Sequence, residues 1–194
     1  METYTTQMDA AARHRDTPDQ EGGREGKHAG GKADAACGRG KGGDLRNKRH
    51  TCLDPEGVGS MLRTKINVNL GVSRDCKDYD IEMQKVMSAV NLGAEAIMDL
   101  SSHGNTQPFR QKLTSECPVM IGTVPVYDSV IHYQRDLATL TAKDFVDVIR
   151  LHAEDGVDFV TLHCGITRKT IEQIRKHKRK MNIVSREEAW YLPG

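Results

Sequence analysis

At 194 residues the chain is long enough for one ordinary domain with a sizeable core. Its 28 Lys and Arg stand against 27 Asp and Glu, which removes any electrostatic case for nucleic acid or an anionic membrane as partner. No apolar run approaches the roughly 18 residues of a membrane span and no apolar signal core opens the chain, so a cytoplasmic location is expected.

The five cysteines, Cys37, Cys52, Cys76, Cys117 and Cys164, are scattered with no C-x-x-C pair. That spacing indicates neither a zinc knuckle nor a disulfide framework, and reduced thiols are expected. From Ala11 to Arg49 almost nothing beyond alanine is apolar. Such a stretch buries too little surface to offset its ordering entropy, so disorder is expected there. The Gly-Arg-Gly-Lys-Gly-Gly run at 38–43 has no readable strand before it or helix after it, and is discounted as a phosphate loop.

Beyond Leu62 the texture becomes regular. Lys65 to Leu70 alternates polar and apolar residues and stops at Gly71, which predicts a strand. Asp80 to Leu92 sets Met83, Val86, Met87 and Val90 on one face, predicting an amphipathic helix closed by Gly93. Ala94 to Leu100 reads as a second strand, Pro108 to Thr114 as a short helix, and Pro118 to Val126 as a third strand. Thr141 opens a helix in which Asp144 completes a capping box and Phe145, Val148, Ile149 and His152 share a face, ending at Gly156. Val157 to Leu162 is a fourth strand, Lys169 to Lys180 a basic helix, and Asn182 to Val184 a fifth strand.

Strands alternating with helices predict a parallel sheet with right-handed crossovers. The first strand runs into Gly71-Val-Ser-Arg74, without the glycine pattern of a dinucleotide-binding turn. Asn69, Asp99, Tyr127, His163 and Ser185 fall at the ends of successive strands, where a barrel gathers its substrate-binding residues. The expected class is therefore α/β, the N-terminal part of a (β/α)8 TIM-type barrel with about five βα units. It spans 61–186, follows a largely disordered segment 1–60, and turns Val68, Ile97, Val124 and Val160 toward the barrel interior.

Five ordered motifs carry a more specific likeness: Asn67-Val-Asn69-Leu-Gly71, Ile97-Met98-Asp99-Leu-Ser101, Ile121 to Tyr127, Thr161-Leu-His163-Cys-Gly165 and Ile183-Val-Ser-Arg186. Over residues 47–186 the sequence closely resembles the phosphomethylpyrimidine synthase family of thiamine biosynthesis, which includes the related 5-hydroxybenzimidazole synthase of anaerobic cobalamin synthesis. The resemblance implies a radical S-adenosylmethionine carbon–carbon lyase. Its substrate would be aminoimidazole ribotide and its product hydroxymethylpyrimidine phosphate. The Ser101 to Thr106 loop leaves the benzimidazole product open.

Matched motif by motif, the resemblance marks Asn69, Met98, Tyr127, His163, Ser185 and Arg186 as substrate contacts. Each suits the role: Asn69 offers a donor and an acceptor, Met98 a polarizable wall, and Tyr127 a ring face with a hydroxyl. His163 has titratable nitrogens, and Ser185-Arg186 forms an anion clamp. Asp99 reads as an orienting residue, while His103, His132, His152 and His177 read as structural.

The resemblance also implies a 4Fe–4S cluster, S-adenosylmethionine, a divalent metal (zinc or iron) and a homodimer for full-length members. None of the cofactor ligands is evident in this chain, because cluster thiolates need close, convergent cysteines. Glu187 to Gly194 departs from the family pattern, yet can be encoded so that one added base yields Gly-Gly-Ser-Leu-Val-Phe-Ala-Trp, the family's continuation. A comparable exercise on Arg13 to His28 recovers family-like sequence. The reading is a frameshifted, truncated fragment, with 13–46 out of frame, 187–194 an aberrant tail, and no activity expected of the chain itself.

Overall fold

The computed structural model describes residues 42–59 and 62–177. The chain divides into two compact units between Thr161 and Leu162. In the first, β1 (Gly42–Asp44) and β2 (Gly57–Gly59) form an antiparallel pair, and four parallel strands form the main sheet in the order β3-β4-β5-β6. These are β3 (Asn67–Leu70), β4 (Ala96–Asp99), β5 (Met120–Thr123) and β6 (Phe159–Val160). Between them run α1 (Tyr79–Asn91), α2 (Gln107–Glu116), α3 (Pro125–Tyr133) and α4 (Ala142–Glu154), with a 3-10 turn at Leu137–Thr139. The second unit contributes α5 (Arg168–Lys176), whose N-cap Thr167 forms a capping box with Thr170.

The parallel α/β order matches the expected N-terminal part of a TIM-type barrel over the described strands. The fifth predicted strand, 182–184, and residues 13–41 lie outside the described residues. Residues 42–46 were expected to be disordered, but 42–44 form β1, and Leu45 packs against Leu53, Ala96 and Met120. Composition misses this because the stabilising neighbours lie far away in the sequence.

Both faces of the sheet are covered, which is why the four residues of β4 and the four of β5 are all buried. Ile97 and Ile121 point toward α1 and α2, into a cluster with Met83, Val86, Phe109 and Leu113. Full burial of such side chains stabilises by about 1.5–3 kcal/mol each. Val68 packs on the same cluster, so Val68 and Ile97 face the helices and not the barrel interior. The opposite parity, Ala96 and Met120, lies against Leu53 on the inner face.

Local sequence explains most boundaries. Asp78 caps α1 by accepting from the amides of Asp80 and Ile81 at 2.8 and 3.2 Å. The buried face of α1 carries Glu82, Met83 and Val86, whereas Met87 is 38% exposed. Glu82 is buried because its carboxylate accepts from Gly71 N at 3.2 Å and pairs with Lys85. The capping box of Thr141 and Asp144 opens α4 as expected. The strand predicted over 118–126 is shorter than expected and gives way to α3. Pro125 cannot donate to a sheet ladder but fits the first helical position, where no amide partner is needed.

The N-terminal loop is fastened to the lower end of the sheet through Asp158. Its carboxylate accepts from Asn47 N at 2.8 Å, Ile121 N at 2.8 Å and His50 Nδ1 at 2.7 Å. His50 Nε2 faces the Cys117 carbonyl at 2.7 Å. Two acceptors oblige both ring nitrogens to carry hydrogens, so the imidazolium is the fitting state. Burial disfavours that charge, but the hydrogen bond and attraction to Asp158 outweigh it, and the His50 pKa is raised.

A raised pKa contributes stability that is full below the unfolded value near 6.5 and is lost as pH climbs through the folded value. Urea melts above pH 6.5 should therefore show a decline in stability that His50→Gln lacks, and Asp158→Ala should cost about 3–5 kcal/mol. Separately, a Cβ at Gly122 would lie 2.3 Å from the Phe159 ring. Gly122→Ala should destabilise by about 1–3 kcal/mol in the same assay, and adding Phe159→Leu should recover part of the loss.

Candidate functional site

Side chains alternate along a strand, so residues paired in register across a parallel sheet share a face. Asn69 pairs with Met98, Met98 with Gly122, and Gly122 with Phe159. This row belongs to the inner face, opposite the helix-facing row of Val68, Ile97 and Ile121. Asn69 is exposed and receives a long hydrogen bond from Asn67 Nδ2 at 3.4 Å. Met98 is 8% exposed and packs with Val124, Val126 and Tyr127.

Tyr127 does not end a strand, as the sequence reading had it. It lies in the first turn of α3, with its amide donating to Val124 O at 3.1 Å. The helix still brings Tyr127 into the buried cluster that contains Met98. Asn69, Met98 and Tyr127 therefore form one patch. His163 is half-buried in the second unit, within the irregular segment that precedes α5. Ser185 and Arg186 lie outside the described residues.

Asp99 is turned the other way. It pairs in register with Leu70 and Thr123, the helix-facing parity. One carboxylate oxygen accepts from Ser101 N at 2.9 Å and Ser101 Oγ at 2.5 Å, while Ser101 Oγ accepts from Val72 N at 3.0 Å. The pair locks the turns after β3 and β4. Burial pushes the Asp99 carboxyl up against the opposing pull of these hydrogen bonds. Gly71 completes the lock: its φ is +144°, and a Cβ there would meet Ser101 N at 2.5 Å.

Beneath α3 lies a buried polar network that the sequence reading did not assign. Asp128 accepts from Thr106 Oγ1 at 2.5 Å, Arg110 Nη1 at 3.1 Å and His152 Nε2 at 2.9 Å. His152 Nδ1 meets Thr123 Oγ1 at 2.8 Å. Arg110 is 3% exposed and also donates to Asp155 through Nε at 3.0 Å and Nη2 at 2.8 Å. The signal available in sequence was Pro125 followed three residues later by Asp128, an acidic residue in a helix's first turn.

Two grooves open on the first unit, the first of them bordering this network. One, of about 670 Å³, is lined by residues including Ser102, Asn105, Arg110, Asp128 and His132. The other, of about 680 Å³, includes Ile66, Val68, Ile81 and Leu92. Among the described residues no group of three or more His, Cys, Asp or Glu is arranged to hold a metal ion. The described residues therefore do not fit a cluster or divalent-metal site. No helix among the described residues is long and apolar enough to cross a membrane.

Burial opposes ionisation of Asp128, but hydrogen bonds from His152 and Thr106 and the Arg110 charge outweigh it. Its pKa falls from 3.8 to about 2. A depressed carboxyl contributes stability that is full above the unfolded value and lost as pH falls through the folded one. Between pH 3.8 and about 2 the wild-type chain should lose stability more steeply than Asp128→Asn, as followed by circular dichroism in urea.

The sequence profile described as the radical SAM ThiC family matches residues 33–192. The phosphomethylpyrimidine synthase of Alkaliphilus oremlandii is 58% identical over 140 residues, covering 72% of this chain and 32% of that protein. Its counterpart in Clostridium novyi is 54% identical over 140 residues, with the same coverage. The Clostridium botulinum enzyme is 47% identical over 185 residues, 94% of this chain and 42% of that protein. The chain thus spans between 32% and 42% of the length of these curated relatives. With the family profile covering residues 33–192 and relatives 47% to 58% identical, the chain belongs to the radical SAM ThiC family.

Proposed function

We propose that this chain carries part of the ribotide-binding surface of a phosphomethylpyrimidine synthase. The substrate is aminoimidazole ribotide and the product of the whole enzyme is hydroxymethylpyrimidine phosphate. The observation that carries the reading is the inner-face patch in which Asn69 adjoins Met98 and Met98 packs against Tyr127. An amide, a thioether and a phenol ring suit a flat, polar-edged heterocycle. The family resemblance adds His163 as a hydrogen-bonding or proton-carrying group and Ser185 with Arg186 as phosphate contacts of the whole enzyme. The shared name of the relatives favours the pyrimidine product over the benzimidazole one.

The radical chemistry, with its 4Fe–4S cluster and S-adenosylmethionine, belongs to the whole enzyme. The share assigned to this chain is to hold and orient the ribotide. Calorimetry should detect binding of aminoimidazole ribotide to the 194-residue chain, without consumption of S-adenosylmethionine in an anaerobic assay. Asn69→Ala and Tyr127→Ala should each weaken binding by about 3- to 10-fold, the worth of one hydrogen bond or ring contact. Absence of ribotide binding would remove the reading. Turnover would assign the chain a larger share than binding.

A further inference from the structure

We propose that Thr123, His152 and Asp128 form a positioning relay that sets the Tyr127 ring over Met98. The proposal rests on the ribotide-binding role given to Tyr127 and extends it to residues on the opposite side of the sheet. It begins with how α3 is held. Its N-cap, Val124, has no side chain able to cap the helix, and α3 is only nine residues long. Short helices owe their stability to tertiary ties more than to propensity. Asp128 supplies such ties, accepting from Thr106 and Arg110 of the α2 entry and from His152 of α4.

The relay then runs into the sheet. Because the Asp128 carboxylate faces His152 Nε2, that nitrogen carries the hydrogen. The opposite nitrogen, Nδ1, is hydrogen-bonded to the Thr123 hydroxyl at 2.8 Å. Thr123 is the last residue of β5, is 2% exposed, and has the parity of Asp99 and Ile121. Its side chain therefore touches no ligand lying over Asn69 and Met98. Tyr127 is the chain neighbour of Asp128 in the first turn of α3 and belongs to the same buried cluster as Met98. Any rotation or lift of that turn moves ring and carboxylate together. Arg110 is also bound to Asp155, so it is a shared anchor whose loss would disturb α2 and α4 alike.

The charges facing His152 are Asp128, with Arg110 and Asp99 nearby, and Asp155 pairs with Arg110 on its far side. A hydroxyl on the helix side thus governs the pose of a ring on the ligand side through two buried hydrogen bonds.

The test uses the full 194-residue chain with 13C-labelled tyrosine, comparing wild type with Thr123→Val, Thr123→Ser and Asp128→Asn. Thr123→Val keeps the shape and removes the hydroxyl. It should shift or broaden the Tyr127 ring signals while leaving those of Tyr79, stacked on Phe109, in place. Where the chain binds aminoimidazole ribotide, the dissociation constant should rise about tenfold, the scale of a small misplacement of a contacting group. Thr123→Ser should restore both readouts. A folded Thr123→Val chain with unchanged Tyr127 signals would overturn the relay, and if that variant fails to fold, Asp128→Asn decides by the same comparison. Failure of the wild-type chain to bind the ribotide removes the functional reading alone, since the ring signals still test the relay.

Discussion

The carboxylate of Asp158 joins three parts of the first unit: the N-terminal loop, β5 and the entry to β6. It takes the Asn47 amide and the His50 ring from the N-terminal loop, and the Ile121 amide from β5. It does so from the residue immediately ahead of β6. A buried carboxylate with these donors satisfied is tolerable; one stripped of a partner is expensive. The loop it holds brings Leu53 against Ala96 and Met120, closing the lower part of the inner face. The upper part, where Met98 and Tyr127 meet, rests on this plug.

Alternation along the strands then decides which residues reach a ligand. Sequence reading placed Asn69 and Asp99 together because both stand near strand ends. The register gives them opposite faces: Asn69 travels with Met98, and Asp99 with Thr123. A strand-end position tells only how far along the sheet a residue lies. Which face it takes depends on parity, and parity here is fixed by the bulky pairs Ile97 with Ile121 and Ala96 with Met120.

The elements with strong local signals were legible. Thr141 and the glycines at 93 and 156 mark helix ends by chemistry that acts within a few residues. The family likeness was legible too, because it rests on ordered motifs. What stayed hidden depends on distant partners. Gly42 to Asp44 form a strand by pairing with 57–59. His50 acquires meaning from Asp158, 108 residues away. Helix α3 was hidden by its own apolar composition, since Val124, Val126 and Tyr127 read equally well as a strand until Pro125 is given weight. The relay under it was invisible because no short motif spans Thr123, Asp128 and His152.

The Phe159 ring lying over Gly122 has a consequence for how the sheet is assembled. β6 is two residues long and pairs only Phe159 with Gly122 and Val160 with Thr123. So short a ladder carries little register information in its hydrogen bonds. A slip of one residue would invert the faces, sending the ring toward α4 and Val160 into the notch. The missing side chain at 122 offers a socket on one face and at one height, and the flat ring fits it as a key fits a ward. Correct alignment of the last described strand is thereby written in steric shape, available as soon as β5 is in place.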